Sequence, residues 1–182
     1  MILLGKALGS WSGMRKYLEQ EMLAESLHGR IRYACTTYPN MDGCHLFELY
    51  IDRKLVKQFS MESVNSYFIK NGYKEISNPI GRMQYWNGFW QQLDASPIES
   101  RTEYTDDEFC DALYMYRHQD IQTSIRSANP LVLMFAILDR RVGKRTLANI
   151  ESPIAKQPDW LKQIYALRKQ ADHLASLRTS SQ

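Results

Sequence analysis

The sequence predicts an α+β fold: an N-terminal helix, a three-stranded antiparallel meander and a further helix, followed by an all-helical C-terminal half. Three observations carry that reading. Apolar and polar residues alternate strand-fashion between about Arg30 and Phe59. Downstream, two Asn-Pro pairs, Asn78-Pro79 and Asn129-Pro130, give an N-cap followed by proline at the first helical position. Thr105 with Glu108 three residues later spells a capping box. The expected division is a meander unit over 1–76 and a helical unit over 77–182, joined in one globule.

The first helix is expected from about Gly13 to Leu27 with Ser12 as N-cap, burying Trp11, Met14, Leu18 and Met22, and ending at Gly29. In the first strand Ile31, Tyr33 and Cys35 share a face; in the second, Phe47, Leu49 and Ile51 do. Closing the loop Pro39-Asn40-Met41-Asp42-Gly43 pairs 35 with 47, 33 with 49 and 31 with 51, so the apolar faces coincide. A tight turn at Asp52-Arg53 returns Lys54 to Phe59 alongside. Ser60 caps a helix from Met61 to Asn71, which Gly72 stops.

Beyond Pro79, Trp86, Phe89, Trp90 and Leu93 fall on one helical face, although Gly81 and Gly88 weaken that helix, and 94–104 reads as loop. The helix opened by Thr105 carries Phe109, Ala112, Leu113 and Tyr116 as its stripe. Leu131 to Arg141 begins with eight apolar residues, which marks the most buried helix of the chain. Gly143 breaks it. A short helix, Lys144 to Ile150, stops around Pro153, and a last one runs from about Asp159 to Leu177 through Trp160, Leu161, Ile164, Leu167, Ala171 and Leu174.

Composition sets limits on function. The 182 residues are 44% hydrophobic and 24% charged, enough apolar material for a core and too much for a disordered chain. The first residues show no secretory signal, and the longest apolar run, Leu131 to Leu138, is far below the roughly 20 residues that span a bilayer. Three cysteines give no disulfide framework, and reduced thiols fit a cytoplasmic address. Cys35 and Cys44 fall on opposite strand faces, unsuited to a bridge.

The common catalytic signatures are missing: no phosphate-cradling glycine loop, no nucleophile elbow, no Cys-x-x-Cys and no His-x-x-x-His. Cys110 and His118 stand eight residues apart, roughly 12 Å along a helix and out of hydrogen-bond reach. Asp107 and Asp111 share a helix face, but acids near a helix N-terminus ordinarily answer its dipole. Neither a metal nor a cofactor is expected.

Two constellations stand out. The first is basic: Arg140, Arg141, Lys144 and Arg145 straddle the break at Gly143. Residues 99–138 hold seven acids and three bases, whereas 139–169 hold eight bases and three acids, so mutual neutralisation is one reading, with Asp107 and Asp111 as partners. The other is an anion site, because guanidinium groups chelate phosphate or carboxylate in pairs. The second constellation is aromatic: Tyr85, Trp86, Phe89 and Trp90, which reads as core, as a partner-binding hot spot or, the weaker alternative without a basic groove beside it, as a stacking platform for bases.

Three stretches carry a resemblance: Trp11 to Leu18 with Gly29-Arg30 and the following strand, Asn129-Pro130 through Leu147, and Pro158-Asp159-Trp160-Leu161 through Arg168. Together they resemble a family of small bacterial cytoplasmic proteins to which no function is assigned, with the segment Leu138 to Leu147 the most specific. The resemblance implies a bacterial, cytoplasmic setting and no catalytic residue. Separately, Asn129 to Ile150 is similar to one helix pair of a HEAT-like repeat, present in a single copy. The leading functional expectation is a non-enzymatic protein-binding module of the immunity or antitoxin kind, using the aromatic cluster. The alternative is binding of nucleic acid or another polyanion through residues 140–145.

Overall fold

The computed structural model describes residues 9–37, 45–73 and 82–179, of which 82–86, 178 and 179 are described by backbone alone. Helix α1, Trp11–Lys16, continues into a π-helical turn, Tyr17–Glu21. Ser10, not Ser12, is its N-cap, its Oγ accepting from the Gly13 amide at 3.3 Å. The helix starts early enough to carry Trp11 in its first turn, where the ring packs on Phe47 at 5.5 Å. It also ends well before Leu27. Residues 22–24 leave the helix to pair with a later segment: the Ala24 amide donates to the Leu138 carbonyl, and the Arg140 amide to that of Met22. A 3-10 turn, Glu25–Leu27, leads to Gly29, whose φ of +78° is left-handed backbone that favours glycine.

Strands β1 (Ile31–Thr37), β2 (His45–Ile51) and β3 (Lys54–Phe59) form the antiparallel meander in the order β1-β2-β3. The β1–β2 register has Cys35 opposite Phe47, Tyr33 opposite Leu49 and Ile31 opposite Ile51, as the coincidence of apolar faces requires. Cys44 and the loop 39–43 lie outside the described residues. At the second turn Asp52 and Arg53 both take positive φ, 48° and 69°, the backbone sign of a type I′ turn. β3 then bulges. Leu49 faces Lys57 while Tyr50 faces Leu55, so Val56 is the extra residue. The bulge turns Lys57 inward, where it is buried and its Nζ meets Glu103 Oε2 at 2.5 Å, and leaves Leu55 exposed.

Helix α2, Met61–Lys70, has Ser60 as N-cap and ends at Gly72 with φ +95°. The Asn78-Pro79 signal lies outside the described residues, as does the expected junction near residue 76; α3 is observed over Arg82–Ala95. Gly88 lets α3 approach closely, since a Cβ there would meet the Tyr73 hydroxyl. A 3-10 turn, Ile98–Ser100, follows within the expected loop. α4, Asp106–His118, carries the complete capping box of Thr105 and Glu108. A short helix α5, Ile121–Ile125, is capped by Asp120.

Helix α6, Pro130–Leu138, buries all nine residues between α4, α5 and the last helix. It stops three residues before the expected Arg141, because Asp139 turns extended and bridges to Leu23. Two short helices follow, α7 (Lys144–Asn149) and α8 (Glu151–Ile154), so Pro153 sits within a helix rather than stopping one. α9 spans Asp159–Thr179. Trp160, Leu161, Ile164, Leu167 and Ala171 face inward, but Leu174 is exposed.

One core cluster joins α1, the inner face of the sheet, α4, α6 and α9. Phe109 is its centre, with ring centroids 4.9 Å from Phe47, 4.8 Å from Phe59 and 5.5 Å from Phe135. A separate cluster holds Val64, Phe68 and Phe89 of α2 and α3. No helix among the described residues is long and apolar enough to cross a membrane.

Candidate functional site

The segment after α6 forms a corner held from beneath by two buried charged side chains. Asp139, 1% exposed, accepts hydrogen bonds from the Tyr116 hydroxyl, from the Arg141 amide at 2.6 Å, and from Arg141 Nε and Nη2 at 2.9 and 2.6 Å. The Asp139 hydrogen bond is the first cause that raises the Arg141 guanidinium above its ordinary range. On the Tyr116 hydroxyl, burial acts first and Asp139 second, both upward.

Arg168 of α9 is the second anchor. It is buried, and its Nη1 lies 3.4, 3.2 and 3.1 Å from the carbonyl oxygens of Ile137, Leu138 and Asp139. Its Nη2 donates to Val142 O at 2.8 Å and its Nε to Asp172 at 2.8 Å. A cation is thus placed at the negative dipole end of α6, over carbonyls of which those of Leu138 and Asp139 also accept from the Ala24 and Val142 amides. Ser26 donates to the other Asp172 oxygen at 2.6 Å, which ties the N-terminal segment into the same network.

On this base the four predicted cations all face solvent. Arg141, its side chain 54% exposed, meets Asp139, not the expected Asp107 or Asp111. Lys144 reaches the Ser176 hydroxyl of α9. Arg140 and Arg145 make no side-chain hydrogen bond or ion pair with a described residue. Arg140 and Lys144 flank an open cleft of about 460 Å³ floored by Arg168 and Asp172, with Glu25 on its rim.

The other side of the corner adjoins Tyr17, the first residue of the π-helical turn, and Arg117 of α4, whose guanidinium carbon lies 4.9 Å from the centre of the Tyr17 ring. Burial raises the Tyr17 hydroxyl above its usual range, Arg117 opposes that, and Asp139, Arg141 and Tyr116 also act on it. Sequence reasoning missed Tyr17, Tyr116, Arg117 and Arg168. For Arg168 a signal existed: it stands among Ile164, Tyr165 and Ala171 on the buried stripe of α9, where a charge needs a partner.

The aromatic constellation is divided. Phe89 is fully buried beneath α2, while Trp90 is 40% exposed and meets Phe89 edge-on at 5.3 Å. The side chains of Tyr85 and Trp86 lie outside the described residues. Cys110 is buried, its thiol pushed far up first by burial and then by Asp106; His118 lies against the Tyr114 carbonyl instead. Among the described residues no group of His, Cys, Asp and Glu is arranged to hold a metal ion.

Residues 10–169 match the SF0329 protein family. The chain belongs to that family. The SF0329 match begins at the N-cap of α1 and ends one residue past Arg168, so it takes in Asp139 to Arg145 and Arg168 but stops short of Asp172 and Ser176. No curated protein and no solved structure gives a significant match.

Proposed function

We propose that this protein is a binding module for an anionic partner, a nucleic-acid backbone, held on Arg140, Arg141, Lys144 and Arg145. The observation that supports it is the mismatch of charge at the corner. Only Arg141 is paired with an acid, while Arg140, Lys144 and Arg145 face water without one among the described residues. Three cations on one loop and the helix after it suit a row of phosphates, each of which releases counterions when neutralised. A bacterial cytoplasmic setting belongs to the same proposal, in keeping with the resemblance of its motifs and with free thiols at Cys35 and Cys110.

The test is a fluorescence anisotropy titration of labelled single-stranded DNA and RNA over a range of salt. The variant replaces Arg140, Lys144 and Arg145 with Gln, which leaves the buried Asp139 and Arg168 contacts untouched. Loss of three single-strand contacts should flatten the log–log salt slope by about 2. An unchanged slope would sink the reading.

A second reading, a module that binds another protein, is favoured by Trp90, a large ring partly exposed on α3. Under it, Trp90→Ala abolishes capture of one stoichiometric protein from nuclease-treated host lysate, and the triple Gln variant does not. Equal capture by both variants would remove the aromatic surface from consideration.

A further inference from the structure

We propose that Arg117 and Arg141 close on a single backbone phosphate beside the Tyr17 hydroxyl, making this the anchoring subsite of the nucleic-acid surface; the inference rests on the binding reading above. Three segments distant in sequence deliver these groups: the π-helical turn, the C-terminal end of α4, and the corner after α6. Such turns recur at functional sites because they displace side chains from the regular helical register.

The donors are prepared for an acceptor. Arg141 spends Nε and Nη2 on Asp139 and Tyr116, which fixes the plane of its guanidinium. Its Nη1 makes no hydrogen bond among the described residues. Arg117 is exposed and held over the Tyr17 ring, with no hydrogen bond or ion pair to a described residue. Nearby acids are engaged elsewhere: Glu19 accepts from the Tyr33 amide at 2.7 Å and Glu21 pairs with Lys16 at 3.2 Å. Asp139 is matched by Arg141, which leaves the charge of Arg117 uncompensated. Two guanidinium groups and a hydroxyl form a donor set suited to phosphate.

The experiment uses a short fluorescein-labelled single strand and the full chain as wild type, Arg117→Gln, Arg117→Lys and Tyr17→Phe. One lost phosphate contact should lower the salt slope by about 0.7 in Arg117→Gln. Arg117→Lys should recover that slope with weaker binding, because Lys keeps the charge without the fork. Tyr17→Phe should weaken binding at unchanged slope, since it removes a hydroxyl and no charge. Arg117 is exposed and, among the described residues, makes no hydrogen bond or ion pair beyond its place over the face of Tyr17, so its variants should keep the wild-type circular dichroism. If Arg117→Gln binds with wild-type affinity and slope while the triple variant at 140, 144 and 145 does not, the subsite is wrong and the broader reading stands. If the wild type binds no strand at all, both are overturned.

Discussion

Replacing Arg168 with Met should destabilise the protein by about 3–5 kcal/mol, the range for breaking a buried ion pair by removing one partner. The structure sets where in that range to look. A hydrogen bond to a charged group contributes about 1.5–3 kcal/mol, but the contacts of Arg168 are not equivalent. Nη1 is shared among three carbonyls at 3.1–3.4 Å, so those count as little more than one bond. The bonds to Val142 and Asp172, both 2.8 Å, are well formed. Met fills the space of the stem yet removes the guanidinium donor from Val142 O, from one Asp172 oxygen and from the carbonyls at the end of α6. Ser26 still serves Asp172, and the Ala24 and Val142 amides still serve Leu138 O and Asp139 O. The adjoining cleft admits water to Asp172, which keeps the loss below the simple sum.

Urea unfolding of wild type, Arg168→Met, Asp172→Asn and the double variant measures the total cost and the coupling. Arg168→Lys should lie between, at about 2 kcal/mol, since an ammonium lacks the guanidinium fork. A loss below about 1 kcal/mol in Arg168→Met would refute the claim that this side chain holds the corner. The same variant should weaken strand binding although Arg168 is buried, because the loop carrying Arg140 and Arg141 loses its support.

Two further predictions concern folding alone. Arg53→Gly should raise stability by about 0.5 kcal/mol, read as a higher thermal midpoint: a left-handed residue costs about 1–2 kcal/mol, partly offset by the extra freedom glycine gives the unfolded chain. A lower midpoint would mean that the side chain makes a contact outweighing its φ of 69°. Burial lifts the Asp106 carboxyl above its ordinary 3.8, opposed by the His45 amide it accepts at 2.7 Å. The folded chain therefore holds that proton more tightly, and the resulting stability is complete below the unfolded value and lost as pH rises through the folded one. Asp106→Asn keeps an acceptor for His45 without the charge, so its stability relative to wild type should improve between acid and neutral pH. A difference independent of pH would refute the assignment.

What was legible in the sequence was local. The β1–β2 register follows from alternation that only one pairing satisfies, and the caps at Ser60, Thr105 and Asn129 follow from side chains bonding backbone two or three residues away. Structure departs from the local signals where distant backbone intervenes. α1 and α6 both end early because residues 22–24 and 138–140 pair with each other, more than a hundred positions apart. Lys57 faces inward because of a bulge that no turn signal announces. The four cations and Asp139 stand in one run of sequence, but Arg117, Tyr17 and Tyr116 join them only through tertiary packing.

The buried charges at the corner are better explained by geometry than by stability. Well-packed apolar residues often match or exceed a buried ion pair in stability, so Asp139 and Arg168 are weak evidence of a stabilising role. Each instead fixes something an apolar side chain would leave loose. Arg168 holds the carbonyls of residues 137–139 and 142, and Asp139 orients the Arg141 guanidinium and its amide. Cations on a fixed loop lose less conformational freedom when they meet phosphates, which favours binding without additional contacts. The two charges therefore differ in effect. Asp139→Asn should leave Arg141 exposed and cationic but no longer oriented, weakening strand affinity while the salt slope stays at its wild-type value. A slope that falls along with affinity would show that Asp139 governs whether Arg141 reaches a phosphate at all, not how well it is aimed.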